Sequence, residues 1–382
     1  MDASAIREMI GRGEDSLHQF KRNIHNADSL AADMVAFSNG DGGIMLIGVD
    51  DDGVLAGLTN DDVRRLNQLI SGAASQHVQP SINPVTENIN MDGHLIMAVS
   101  VPCGINKPYQ DKNGVFWVKS GADKRKATSR EEIQRMFQQA NVLHADEMPV
   151  QRLTIDDVDM LYFRDYFQRR YGQPPENENQ PIPRLLENMG LMHGEALTLC
   201  GALLFAKEEY DKLPGFVVKA GVFDANDLAT DNYQDSRDIG GRLESVYSQT
   251  VHFILSNLHH VQGGQDVNSI GIPEIPHEAV RELVANALIH RDYFVSAPVR
   301  VFVFRNRVEI ISPGHLPNNL NVERILLGVS IARNPLLASH ANHIIPYRGY
   351  GSGIIRALAS YPDIEFVDDR EGNQFKAVLK RR

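Results

Sequence analysis

The chain is poor in the residues that staple small folds or hold metals. Two cysteines, Cys103 and Cys200, occur in 382 residues, far apart and without a CxxC or Cys/His ligand cluster. That usage fits a reducing compartment and argues against structural zinc or a disulfide framework. The His259-His260 pair, followed by QGGQD, also lacks ligand spacing. Long apolar runs are missing as well. The longest, LTLCGALLFA from Leu197 to Ala206, is about half of what spans a bilayer and reads as a buried strand. The opening MDASAIREMIGRGEDS has neither an apolar signal core nor a cleavage pattern. A cytoplasmic protein without a membrane partner is expected. Positive charge is in deficit: 38 Lys+Arg against 49 Asp+Glu leave a net charge of −11. The balance disfavours indiscriminate binding to phosphate backbones but permits a local basic groove.

What is present is ordinary globular composition, 42% hydrophobic and 23% charged. At roughly 100–200 residues per domain, two or three domains are expected. Composition separates residues 1–140, a middle region 141–274 and residues 275–382. The first alternates helix and strand patterns: ADSLAADMVAFSN and TNDDVRRLNQLISGAAS read as helices, GGIMLIGVD, LIMAVSVP and GVFWVKSG as strands. SREEIQRMF closes it as a helix, with Ser129 and Glu132 as a capping box. The middle region holds the helical VDMLYFRDYFQRRYG, apparent strands TLCGALLFAK and GFVVKAGVFD, and a long helical pattern from Gly240 to His260. QGGQD and the proline-rich GIPEIP form the joint to the last region. No internal repeat or low-complexity segment interrupts the chain.

In the first region, Asn39, Gly42 and Gly43 mark a helix-to-strand turn, and Asp50 to Gly53 form a tight turn in which DDG supplies positive φ. VFWVKSGADKRKATSREE gathers Lys119, Lys124, Arg125, Lys126 and Arg130 beside Trp117. These cations could track a nucleic-acid backbone while the indole stacks a base. Equally, Asp123, Glu131 and Glu132 could neutralise them as a solvated loop. Together, EDSLHQFK, AFSNGDGGIMLIGVDDDGVLAG and FWVKSGADKRKATSREEI resemble the AlbA-like, Schlafen-type DNA-binding domain of many bacterial regulators. The resemblance implies DNA or RNA contact through Lys21, Arg22, Lys119, Lys124, Arg125 and Lys126, and pairing into a homo-oligomer. In some relatives it also implies RNA cleavage by a carboxylate cluster, here Glu14, Asp50 and Asp52. Gln19 stands where that family commonly carries its second acid. An amide supplies neither the charge nor the base, so binding without cleavage is expected.

The last region centres on ELVANALIHRDY, Glu282 to Tyr293. At about 100° per residue, Glu282, Asn286 and His290 share one helix edge, opposite Val280, Leu283, Val284, Ala287 and Leu288. An asparagine in mid-helix is intrinsically unfavourable. The edge is either a solvated face or part of a site. Downstream, Gly349, Gly351 and Gly353 precede an apolar run, as at a helix N-terminus that accepts an anion. HRDY, ISPG, ARNP and GSGI, in that order, resemble the divergent GHKL-like ATPase domain of RecG-related predicted regulators. The implied architecture is α+β: an AlbA-like module, a mixed middle region and a GHKL-like α/β sandwich. The implied cofactors are ATP and Mg2+. Asn286 becomes the magnesium residue and Glu282 the catalytic base, with Ser312, Gly314 and the three glycines on the nucleotide. His290, Arg291 and Asp292 are expected to fix the helix end. Ordinary GHKL proteins place an aspartate for the adenine amino group near Ser312 and Gly314, and this chain does not. The expected function is a nucleotide-controlled, nucleic-acid-binding transcriptional regulator. The alternatives are a Schlafen-like metal-dependent ribonuclease or ATPase of a defence system, or an interaction protein built on two degenerate modules.

Overall fold

The computed structural model describes residues 3–140, 142–207, 213, 215–228, 233–261, 271–317 and 320–381. The chain divides into two compact α+β units, Met1–Leu143 and His144–Arg382. The first is built on β1 (His18–Lys21), β2 (Gly43–Ile47), β3 (Val85–Met91) and β4 (His94–Val101), arranged β1-β2-β4-β3. β1 and β2 are parallel and the remaining pairs antiparallel. Side chains alternate across the sheet. Met45, Ile47, Met97 and Val99 pack with Leu30 and Met34 of α2 (Ala27–Asn39) and Leu66 of α3 (Asn60–Gly72). Leu46, Ile96 and Ala98 form a second core with Phe20 and with Ile6 of α1 (Ala3–Arg12).

Caps set the helix starts. Asn26 accepts from the amides of Asp28 and Ser29 at the head of α2, and Thr59 and Asp62 make a capping box on α3. The Ser129 hydroxyl accepts from the Glu132 amide at the head of the Arg130–Gln139 helix. A separate hairpin of β5 (Trp117–Ser120) and β6 (Asp123–Lys126) carries most of the basic candidates.

The second unit holds a six-stranded sheet: β7 (Val218–Phe223), β8 (Tyr233–Ile239), β9 (Val299–Val303), β10 (Arg307–Pro313), β11 (Ile364–Asp369) and β12 (Gln374–Lys380). Their order is β8-β7-β9-β10-β12-β11, with only β7 and β9 parallel. Residue 274 is therefore not a boundary between compact bodies. β7, β8 and the helix Leu243–Ser256 come from the middle region, yet they share one sheet and one core with the later elements. The proline-rich joint pairs Ile272–Pro273 with His260–Val261, and QGGQD lies outside the described residues.

The apolar run Leu197–Ala206 is mostly helix, Leu199–Phe205, following a short strand at Ala196–Thr198. Every residue of that helix is buried and Thr198 caps it by accepting from the Gly201 amide. A short run buried on all sides carries no periodicity to separate helix from strand. The helix His277–Ile289 crosses β10 and packs on Leu243–Ser256 and on the later helix Gly353–Ser360. Among the described residues, no helix is long and apolar enough to cross a membrane.

Candidate functional site

A partly enclosed cleft opens in the second unit between the His277–Ile289 helix, the sheet and the loops before the Gly353–Ser360 helix. Glu282, Asn286, Ser312, Gly314, Gly349, Gly351 and Gly353, all chosen from sequence, line it. The polar edge of the helix is therefore not a solvated face.

At one end Glu282 is 8% exposed. Its Oε1 accepts from Arg356 Nε at 3.0 Å and Nη2 at 2.5 Å, while Arg356 Nη1 donates to the Ser352 hydroxyl at 2.6 Å. The carboxylate expected as a base is thus held by a guanidinium. Gly353 explains its own identity: a Cβ there would sit 2.7 Å from Glu282 Oε2 and 3.2 Å from Asn286 Nδ2. That Nδ2 is buried with no hydrogen-bond partner. Gly349 and Gly351 both take φ of +72°, and a Cβ on Gly351 would meet the Gly328 carbonyl at 2.3 Å.

At the other end, Ser312 Oγ donates to the Ala287 carbonyl at 3.1 Å, tying strand to helix. Gly314 has φ +93°, and its Cβ would fall 2.1 Å from Arg333 Nη1. Arg333 donates to the His315 carbonyl and lies 3.8 Å from the Asp292 carboxylate. His290 Nε2 is 3.0 Å from the Tyr347 hydroxyl. Burial, helped by the Arg333 charge, pushes its pKa down to about 4, so the imidazole is neutral at pH 7. Arg291 donates to the Val295 and Ala297 carbonyls, and Asn334 caps the helix end through the Ile289 and Arg291 carbonyls. Asp292 Oδ1 accepts from the Phe294 amide. Sequence reasoning assigned no role to Arg333 and Arg356. ARNP and the arginine one turn after Gly353 were the available signals.

The first unit assembles less. Lys124 pairs with the buried Asp33 at 2.8 Å, and Arg125 holds Glu132 through two bonds of 2.9 and 2.6 Å. Lys119 lies 4.7 Å from the Phe37 ring centroid and donates to the Ala122 carbonyl. Lys124 and Lys126 stand 5.8 and 5.3 Å from the Trp117 ring centroid, and its Nε1 donates to Asp111. The indole N–H is thus engaged within the unit, and two ammonium groups stand near its ring. Arg22 is 76% exposed and 3.7 Å from Asp50; Lys126 is exposed and Lys21 half-buried.

The carboxylates do not converge. Glu14 accepts from the Phe20 amide, Asp50 faces Arg22, and Asp52 accepts from the Val54 amide within its turn. Among the described residues no group of three or more His, Cys, Asp or Glu could hold a metal ion. Gln19 is buried with Oε1 unpartnered.

A sheet backed by helices with a glycine-rich cleft, joined to a second α+β unit, defines a two-module protein. Residues 14–128 match the Schlafen, AlbA_2 family, and residues 296–379 match the family described as "Putative ATP-dependent DNA helicase recG C-terminal". The chain thus joins a domain of nucleic-acid-binding type to one of ATPase type. The second match covers Ser312, Gly314 and the glycine loop but begins after Glu282 and Asn286. Among solved structures, the chain is similar to the DIP2311 protein from Corynebacterium diphtheriae, at 19% identity and a TM-score of 0.45. That alignment covers 99% of this chain and 80% of the other. It is also similar to the N-terminal domain of a RecG-related protein from Nitrosomonas europaea, at 23% identity and a TM-score of 0.24. There 34% of this chain and 96% of the other are covered. No curated protein matches significantly.

Proposed function

We propose that the second unit binds a nucleoside triphosphate with Mg2+ in this cleft, and that occupancy modulates nucleic-acid binding by the first unit in a regulatory protein. One observation carries the reading: residues from three separated segments, Glu282 and Asn286, Ser312 and Gly314, and the 349–353 glycines, line a single cleft. The phosphates belong at the head of the Gly353–Ser360 helix, where amides are free of intrahelical partners and the dipole favours anions. Mg2+ usually keeps several waters and takes few protein ligands beside phosphate oxygens. The Asn286 amide oxygen would supply one such ligand, and its Nδ2, which no neighbour claims, would donate to a phosphate oxygen. When bound, the ion would offset phosphate charge. Glu282 holds Arg356 near the same phosphates rather than standing free. Modulation of the first unit requires that nucleotide favour one of two states.

The test is calorimetric titration of Mg-ATP and Mg-GTP into the wild type and Asn286→Ala, followed by nucleic-acid binding with and without nucleotide. Saturable binding that weakens in the variant supports the reading. A folded wild type that binds neither nucleotide overturns it.

A further inference from the structure

At the glycine-loop end of the cleft an acid stands where an anion is expected. Among the described residues that line the cleft, Glu282 is the one carboxylate, against Arg333, Arg348 and Arg356. Its Oε2 lies 2.7 Å from the place a Cβ on Gly353 would take, at the head of the Gly353–Ser360 helix. A bare carboxylate there would repel the phosphate that a helix N-terminus otherwise attracts. A cation has to offset it.

Arg356 does so, and it also keeps the helix start open. Its Nε and Nη2 both donate to Glu282 Oε1, and Glu278 comes no nearer to Nε than 3.9 Å. Nη1 reaches back one turn to the Ser352 hydroxyl. A serine in that place normally caps the helix by accepting from its second or third amide. Here Ser352 has helical backbone angles, φ −83° and ψ −3°, and makes no capping bond. The Arg356 amide bonds to the Ser352 carbonyl, so the amides of Gly353, Ile354 and Ile355 come before that bond, where intrahelical acceptors are lacking. A guanidinium carries five N–H donors. These contacts occupy three of them and leave two. The unpartnered Asn286 Nδ2 lies 3.2 Å from the same Gly353 Cβ position. Guanidinium, open amides and carboxamide thus gather donors around one place.

We infer that Arg356 is a phosphate-binding residue of the cleft, and that Glu282 is the counter-charge that aims it. The inference rests on the proposed nucleotide site and names the side chain that meets its phosphates. Charge then orders affinity. The native pair is neutral, Arg356→Gln leaves a negative charge beside the phosphates, Glu282→Gln leaves a positive one, and the double variant is neutral again. In Glu282→Gln the amide oxygen can still accept from Arg356, so the guanidinium keeps a partner. At separations of a few ångströms in a half-buried site, each unit of charge shifts affinity by roughly tenfold or more.

The experiment titrates inorganic tripolyphosphate and Mg-ATP into the intact protein, Glu282→Gln, Arg356→Gln and the double variant. The expected order for both probes is Glu282→Gln tightest, then wild type, then the double variant, with Arg356→Gln at least tenfold weaker than wild type. Recovery in the double variant is the part that a merely structural arginine does not produce. Wild-type affinity in Arg356→Gln, weaker binding by Glu282→Gln than by wild type, or a double variant no better than Arg356→Gln overturns the inference while leaving a nucleotide site standing. A folded wild type that binds neither probe removes the site itself and the inference with it. If Arg356→Gln does not fold, the ranking of Glu282→Gln above wild type still decides.

Discussion

Gly353→Ala separates the site from the fold. Gly353 is the first residue of a helix and its φ is not in the left-handed region, so alanine can adopt its backbone. Restricting the unfolded chain should stabilise by about 0.4–1 kcal/mol. Against this, the added Cβ would lie 2.7 Å from Glu282 Oε2 and 3.2 Å from Asn286 Nδ2. The carboxylate must retreat by several tenths of an ångström, which loosens its two bonds to Arg356 at a cost of about 1 kcal/mol. The terms nearly cancel, and a melting shift within about 4 °C is expected for a unit of this size. The methyl group, however, fills the space between Glu282 and Asn286, and nucleotide affinity should fall at least tenfold, about 1.4 kcal/mol. Gly351→Ala is the control. Its φ of +72° and a Cβ position 2.3 Å from the Gly328 carbonyl add strain to a backbone clash, so it should destabilise by about 2 kcal/mol or more. Thermal melts and calorimetry read both quantities. Full affinity in a folded Gly353→Ala would refute this placement of the ligand. A larger melting loss for Gly353→Ala than for Gly351→Ala would refute the steric argument.

Three further outcomes are expected. Lys124→Ala should cost the first unit about 3 kcal/mol in chemical denaturation, the low end for breaking a buried pair, because Asp33 loses its cation. Lys126→Glu combined with Arg22→Glu should leave stability nearly unchanged yet weaken nucleic-acid binding and flatten its salt dependence; an unchanged slope removes both from the interface. Cys103 is exposed and Cys200 buried, with its thiol pushed up by burial, so a maleimide should label the former at once and the latter only as the second unit opens. Bound nucleotide should slow that second labelling, and equal rates with and without it would argue against binding to the folded unit.

Much of the first unit's order could be read from its sequence because its signals are local: alternating strands, Ser129 before its helix, DDG in its turn. The polar strands Val85–Met91, Tyr233–Ile239 and Ile364–Asp369 were not, since their exposed faces carry little hydrophobic alternation. The long helical pattern from Gly240 contracts to Leu243–Ser256 for the reason helix ends are always hard to place. For the basic cluster, sequence could count cations but not their partners. Glu132 lies seven residues from Arg125, while Asp33 reaches Lys124 from another element altogether. The same difficulty governs the cleft. Helical spacing puts Glu282 and Asn286 on one edge, but Arg356 arrives from 74 residues away, so the sequence reads the carboxylate as free.

The histidines carry the last consequence. His340 is buried at 3% exposure, with Nδ1 facing the Tyr166 hydroxyl at 2.6 Å and the Arg170 guanidinium at 2.7 Å. Nδ1 must accept from that guanidinium, so the ring proton lies on Nε2 and is donated to the Met189 carbonyl at 3.0 Å. A second proton would place N–H against N–H in a buried site. Burial first, and then the Arg170 charge, pushes the His340 pKa down to about 4 from an ordinary 6.5. The unfolded chain therefore binds a proton that the folded unit refuses throughout that window. The stability this neutral imidazole confers is complete above pH 6.5, falls as the pH drops, and is gone near pH 4. Its full size is about 3 kcal/mol, and His290, shifted in the same direction, adds to the slope. Denaturation of the second unit at pH 7.5, 6, 5 and 4, followed by Cys200 labelling, measures it. His340→Gln can keep one bond without titrating, so its stability should vary less across that range than the wild type's. An identical pH slope in the two proteins would mean that the acid sensitivity arises elsewhere.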